Sequence, residues 1–103
     1  MFTFVLWDID KYQSIRLIEN CVGNEAFLVP IDQVQYPLLS GLTNCDEELY
    51  SNEEALEKLL AEVSELRKEM HNKEINDYLQ QIASMIFEAI NTRKSILITP
   101  FIE

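Results

Sequence analysis

The second half of the chain carries two long apolar stripes at helical spacing, and this feature constrains the fold more than any other. In both stripes the apolar side chains recur every three or four residues, so they line one face of a helix. The first stripe consists of Leu56, Leu59, Leu60, Val63, Leu66 and Met70. The second consists of Ile75, Tyr78, Leu79, Ile82, Ala83, Ile86, Ala89 and Ile90, and Met85 and Phe87 add further apolar positions beside it. The pattern predicts helices over Glu53–Met70 and Ile75–Thr92, joined by a short loop into a helical hairpin. The second helix is apolar over more of its circumference, which is typical of a central helix.

Short apolar runs near both ends of the sequence predict strands. Residues Phe2 to Trp7 form an aromatic and β-branched run that indicates a strand buried on both faces, and Ile96 to Ile98 form a second run. These two runs could pair as neighbouring strands. A chain of 103 residues suffices for one core and not for two. We therefore expect an α+β fold: a mostly helical single domain over residues 1–103, with a central helical hairpin and a small sheet.

The segment after the first strand supports two interpretations. Asp10 could cap a helix over Lys11–Val22 that Gly23 ends. Alternatively, Ser14–Ile18 could alternate as a strand. The sequence leaves both open.

Turn signals mark the middle of the chain. Pro37 restrains the residue before it and predicts a turn at Pro37–Ser40. A short turn of helix is expected at Asp46–Tyr50. Ser51 and Glu54 have the spacing of a capping box, which predicts the start of the first long helix.

The chain is strongly acidic, and its charge is unevenly placed. It has 18 acidic and 8 basic residues, a formal net charge of −10 and a sequence pI near 4.4. Residues 46–77 hold eleven of the acids and four of the bases, which is −7 of the total. Direct binding to nucleic acid is disfavoured because it needs a basic face, and an anionic membrane would repel the chain. A cationic protein is the natural complement.

The most acidic segment predicts the partner-binding site. Asp46 to Glu57 contains six acids and no base, set around one aromatic residue. Carboxylates at helix starts also offset the positive end of the helix dipole, so part of the segment has a structural explanation. An aromatic anchor ringed by carboxylates nevertheless suits a basic partner. The predicted contact residues are Asp46, Glu47, Glu48, Tyr50, Glu53, Glu54 and Glu57.

The cysteines and the histidine predict neither catalysis nor metal binding. Cys21 and Cys45 do not form a CxxC pair, and His71 is the only histidine, too few ligands for a zinc site. We expect no catalytic residue, no metal, no cofactor and no small-molecule substrate. The chain starts without a basic leader and has no run of membrane-spanning length, so a cytoplasmic location is expected.

One short stretch resembles an enzyme family. The apolar run ending in Asp8-Ile9-Asp10 is similar to the nucleophile motif of haloacid-dehalogenase-like phosphatases. That resemblance implies Asp8 as nucleophile and Asp10 as general acid/base beside magnesium. The sequence departs from the family pattern where Lys11 and Tyr12 follow, and it lacks a downstream acidic pair on a strand. The simpler interpretation is that both aspartates end a strand and cap the next element.

Three stretches, at residues 27–32, 37–40 and 50–60, are spread over about a third of the chain. Together they resemble small acidic bacterial immunity proteins, which neutralise toxin domains of contact-dependent inhibition and other polymorphic toxin systems. The resemblance implies a protein that occupies a cognate toxin domain, often a basic nuclease, and blocks its access to substrate. It transfers no functional residue, since these families share no contact motif. The alternative is a small acidic adaptor that binds a partner other than a toxin.

Overall fold

The computed structural model describes residues 2–18, 25–28, 34–39 and 48–99, which form an α+β fold. The elements in chain order are β1 (Thr3–Asp8), β2 (Gln13–Leu17), α1 (Glu25–Leu28), β3 (Glu48–Tyr50), α2 (Glu53–Glu69), α3 (Lys73–Thr92) and β4 (Ser95–Thr99). The four strands form one sheet in the order β2-β1-β4-β3. The two long helices pack against each other, and α3 also contacts β1 and β4.

The two strands predicted from the terminal apolar runs are neighbours, as expected. β1 pairs antiparallel with β4, with Thr3 opposite Thr99 and Trp7 opposite Ser95. β1 and β4 are the first and last of the described elements, so the centre of the sheet is formed by a contact between residues far apart in the sequence. The expectation that β1 is buried on both faces is also confirmed, since five of its six residues are buried and the sixth is half-buried.

The helical hairpin is confirmed, but the residue that caps the start of its first helix differs from the predicted one. Asn52 caps α2 by accepting a hydrogen bond from the Ala55 backbone N–H at 2.7 Å. The predicted capping box at Ser51 is therefore wrong by one residue, because an asparagine side chain competes well for this position. Asn72 caps α3 in the same way, through the N–H of Ile75 at 3.1 Å.

The main core lies between the helices and one face of the sheet. This inner face carries Phe4, Leu6, Ile96 and Ile98, each at most 1% exposed. The helices contribute fully buried side chains from both apolar stripes: Leu59, Val63, Leu79, Ile82, Ile86 and Ala89. The central position of α3 follows from its broader stripe, as the sequence predicted.

The structure decides between the two interpretations of the segment after β1. Residues 13–17 form β2, close to the strand alternative at Ser14–Ile18 and not the helix alternative, because Asp8 caps a tight turn that returns the chain alongside β1. One local prediction is wrong. The expected helical turn at Asp46–Tyr50 is contradicted at its end, where Glu48–Tyr50 forms β3 paired with β4. There the pairing of Tyr50 with Ile96 overrides local propensity.

Candidate protein-binding site

The described part of the predicted acidic site lies on the first two turns of α2. Glu53, Glu54 and Glu57 all have exposed side chains there. Residues three and four apart on a helix are neighbours, so Glu57 lies beside both of the others on one surface. We call Glu53, Glu54 and Glu57 the acidic surface. The helix itself holds their spacing rigid, because its opposite face is buried in the core.

The charges of the acidic surface are only partly balanced. Lys58 Nζ lies 3.2 Å from Glu54 Oε1, in an exposed pair that contributes little to stability. Within the described residues, Glu53 and Glu57 form no ion pair. Their spacing of four residues places two like charges next to each other, which destabilises a helix by roughly 0.2–0.5 kcal/mol. Glu53 also offsets the helix dipole in the first turn, whereas Glu57 lies a turn further along, where that benefit fades.

Tyr50 is not part of this surface, and its predicted role as an exposed aromatic anchor is wrong. Its side chain is 7% exposed and belongs to the main core. β3 pairs it with Ile96 of β4, which directs the ring towards the helices. A ring already packed inside the protein cannot insert into a partner, so Tyr50 contributes to stability and only positions the start of α2.

The remaining predicted contact residues lie wholly or partly outside the described part of the chain. Asp46 and Glu47 lie outside the described residues. The backbone of Glu48 belongs to β3, opposite Ile98, and its side chain is outside the described part. The site as placed therefore consists of three of the six predicted acids.

Asp8 makes the contacts of a structural residue. Its Oδ1 accepts hydrogen bonds from the backbone N–H groups of Asp10 and Lys11, at 3.0 and 3.2 Å, and its Oδ2 pairs with Lys94. Burial acts to raise the pKa of Asp8, but the Lys11 N–H, the Lys94 hydrogen bond and charge, and the Asp10 N–H together lower it below its ordinary value. Asp10 is exposed. The two aspartates close a turn between antiparallel strands, which is not the doubly wound sheet that the phosphatase resemblance requires.

Sequence reasoning missed a buried carboxylate in α2. Glu62 is 6% exposed, and its Oε1 accepts hydrogen bonds from the backbone N–H groups of Leu38 and Leu39, both at 3.0 Å. Burial raises the pKa of Glu62, and the two N–H donors offset only part of that effect. Glu62 thus ties the turn after Pro37 to α2. Its neighbours Ala61 and Val63 give no signal of this role.

Sequence reasoning also missed an apolar surface at one edge of the sheet. Tyr12, Ile15 and Leu17 are 81%, 47% and 43% exposed. Tyr12 adopts a left-handed conformation with φ of 56° and packs edge-on against Trp7, with ring centroids 6.0 Å apart. A β-branched or aromatic residue in this region costs of order 1 kcal/mol where glycine would not. No sequence pattern reveals that these side chains stay uncovered.

Other site types find no support in the part of the chain that the structure describes. Within residues 2–18, 25–28, 34–39 and 48–99, no three side chains among histidine, cysteine, aspartate and glutamate are grouped as metal ligands. Over the same residues, no helix combines the length and apolar character that crossing a bilayer needs. His71 is exposed in the loop between α2 and α3.

The chain matches no known family model, no curated protein and no solved structure.

Proposed function

We propose that this protein is an immunity protein that binds a cognate, basic toxin domain in the cytoplasm and blocks access of that domain to its substrate. The observation that carries the proposal is the acidic surface: three exposed carboxylates on a rigid helix, in a chain of net charge −10. Glu53 and Glu57 lie four residues apart, a spacing at which like charges destabilise a helix, and a basic partner would relieve that effect.

The acidic surface suggests how inhibition would occur. An enzyme that acts on nucleic acid holds its substrate with lysine and arginine side chains that neutralise phosphates. Carboxylates held at fixed spacing can occupy the same cations, so the inhibitor and the substrate compete for one surface. Inhibition then needs no catalytic residue in the inhibitor. The inhibitor needs only to bind in an orientation that covers the cationic cleft of the toxin.

The side chains that frame the surface limit how a partner can approach. A groove of about 430 Å³ adjoins Glu53 and is also lined by Arg93 and Lys94 of the segment after α3. Lys94 is paired with Asp8, so Arg93 is the cation that repels a basic partner from that side, while Glu57 attracts it. We therefore expect the partner to contact the outward side of α2 and not the groove.

Co-expression tests the proposal directly. In the systems that the chain resembles, the immunity gene directly follows the toxin gene, so the product of the upstream gene is the partner to use. Expression of that product alone in a bacterial host should stop growth, and co-expression with this chain should restore it. The double variant Glu53→Lys/Glu57→Lys should fail to restore growth. Its matched control, Glu65→Lys/Glu69→Lys, makes the same charge change at the same spacing on the other end of α2 and should protect.

Two outcomes would overturn the proposal. If the upstream product is harmless, or is equally toxic with and without the wild-type chain, the chain does not neutralise it. If the two proteins bind but toxicity persists, the chain is an adaptor and not an inhibitor.

A further inference from the structure

Among the described strands, β2 forms an edge of the sheet that no second strand covers. It lies at the end of the strand order, and all five of its residues are exposed. Among the described residues, β1 is the only strand that pairs with β2. Open edges promote pairing with another chain unless they are protected by lysine, proline or charge.

β2 carries few of the residues that usually protect an edge strand from pairing with another chain. Gln13–Leu17 contains no acid, lysine or proline. Its one charge, Arg16, is held 3.0 Å from Glu88 of α3 and so leans towards the helix. A bulge near Ile15 shifts the register opposite Leu6 and Trp7, which bends the strand. The bulge limits a long regular ladder, so a stable contact must also use the side chains around the edge.

A groove beside the edge supplies such side chains, and its chemistry is self-complementary. The groove lies between β2 and α3, has a volume of about 550 Å³, and is lined by Arg16, Leu17, Ile18, Asp77, Gln80, Gln81 and Ser84. An amide or hydroxyl group both donates and accepts, so it can bond to the same group of a symmetry-related copy. Asp77 likewise offers its carboxylate to Arg16 of the second copy, which would share that guanidinium with Glu88.

We propose that the open edge of β2 and this groove form a two-fold interface with a second copy of the chain. Two copies of net charge −10 repel each other, so they can meet only where the local charge is small. The groove carries one base and one acid, whereas the acidic surface on α2 would oppose its own copy. A basic partner is attracted less strongly to this edge than to the acidic surface. The exposed Ile15 and Leu17 add apolar area to the contact, and a stable interface buries about 800 Å² per copy.

The oligomeric state of the full chain tests the inference, and the sheet provides a matched control. Leu17 and Leu49 are 43% and 42% exposed, and they lie at opposite ends of one cross-strand row through Val5 and Leu97. Sedimentation equilibrium should show a concentration-dependent dimer of twice the 12.0 kDa chain mass. Leu17→Lys should raise the dimer dissociation constant by more than about tenfold, whereas Leu49→Lys should leave it unchanged. Circular dichroism confirms that both variants fold.

Amide hydrogen exchange gives a second readout that a general loss of stability would not mimic. Those amides of Gln13–Leu17 that point away from β1 should become protected as the wild-type concentration rises, and they should stay unprotected in Leu17→Lys. A chain that remains monomeric up to about 1 mM, or a dimer that Leu49→Lys disrupts and Leu17→Lys does not, overturns the inference. Protection of the β2 amides in a monomer only after the upstream product is added would assign this edge to that partner instead. None of these measurements depends on toxin neutralisation, so the dimer and the proposed function can fail separately.

Discussion

The ammonium group of Lys94 lies 3.2 Å from the buried carboxylate of Asp8, and this pair joins the two ends of the described chain. Asp8 ends β1 and caps the turn into β2, while Lys94 connects α3 to β4. The pair therefore fixes the corner where the central strands, the hairpin turn and the last helix meet. The carboxylate that resembles a phosphatase nucleophile is already bound by three donors.

The Asp8 carboxylate should make stability depend on acidic pH. Its pKa in the folded state lies below the ordinary value of 3.8, so its ionised form contributes stability above that pH. That contribution is lost as pH falls below 3.8 through the folded-state pKa. Asp8→Asn should lower the melting temperature at neutral pH, and the gap to wild type should narrow in acid. A gap that is constant across this range would show that the charge of Asp8 does not matter.

The same contacts predict that Asp8 has no role as a nucleophile. The purified protein should show no magnesium-stimulated hydrolysis of a generic phosphomonoester, measured as release of inorganic phosphate. Asp10→Asn serves as the second variant, because the resemblance gives that residue a separate role. Hydrolysis that Asp8→Asn abolishes, without loss of folding, would contradict the structural role of both aspartates.

Glu62 should produce the opposite pH dependence. Its folded-state pKa is raised above the ordinary 4.5, so the folded protein holds this proton more tightly than the unfolded chain. Stability from this group therefore falls as pH rises from 4.5 through the raised value, and then levels off. The free energy of unfolding of Glu62→Gln, measured with urea over the same pH range, should not show this decrease.

Glu62→Ala separates the charge from the hydrogen bonds. Alanine removes the acceptor of the Leu38 and Leu39 N–H groups, and leaving a buried donor unpaired costs about 1–3 kcal/mol. The loss should persist at every pH. If Glu62→Ala and Glu62→Gln are equally stable, the turn at residues 37–39 does not depend on this carboxylate.

The central position of α3 predicts large losses from small core changes. Ile82 and Ile86 are fully buried, so Ile82→Ala and Ile86→Ala should each lower the free energy of unfolding by roughly 2–4 kcal/mol. Phe87, on the same helix but 58% exposed, is the matched control, and Phe87→Ala should cost less than about 0.5 kcal/mol. Similar losses for all three would mean that α3 is not packed as described.

The helical hairpin could be predicted because the apolar residues between Leu56 and Ile90 recur at the spacing of a helix. The width of each apolar stripe also indicates how much of each helix is buried. The pairing of β1 with β4 was accessible for a similar reason, since each is a short and nearly continuous apolar run. β2 was ambiguous because an edge strand contributes few buried side chains. Its formation depends on the Asp8 turn, which a periodicity pattern does not contain.

The candidate site was harder to predict than the fold. Glu53, Glu54 and Glu57 are exposed because they lie off the apolar stripe, and the spacing alone shows that. The burial of Tyr50 depends on pairing with β4, which is more than forty residues away in the sequence. The burial of Glu62 could not be predicted for the same reason, because its hydrogen-bond partners come from a separate turn. The exposure of Tyr12 could not be predicted either, since it depends on whether another element covers the end of the β1–β2 hairpin, and no described element does. Long-range contacts decide which side chains remain available to a partner.

Binding kinetics at two salt concentrations test the central claim most directly. The partner is the product of the upstream gene, and the variants are Glu53→Lys/Glu57→Lys and its control Glu65→Lys/Glu69→Lys. Both change the net charge equally, so a difference between them reports position and not total charge. Circular dichroism should show both folded, because exposed charge changes usually alter stability by less than about 0.5 kcal/mol.

We predict that Glu53→Lys/Glu57→Lys slows association more than the control variant does, and that added salt slows wild-type association more than that of this variant. Carboxylates that pair with desolvated cations would also quicken dissociation, at a cost of roughly 2–5 kcal/mol. Equal association and dissociation rates for wild type and Glu53→Lys/Glu57→Lys at both salt concentrations would show that the partner docks away from the acidic surface.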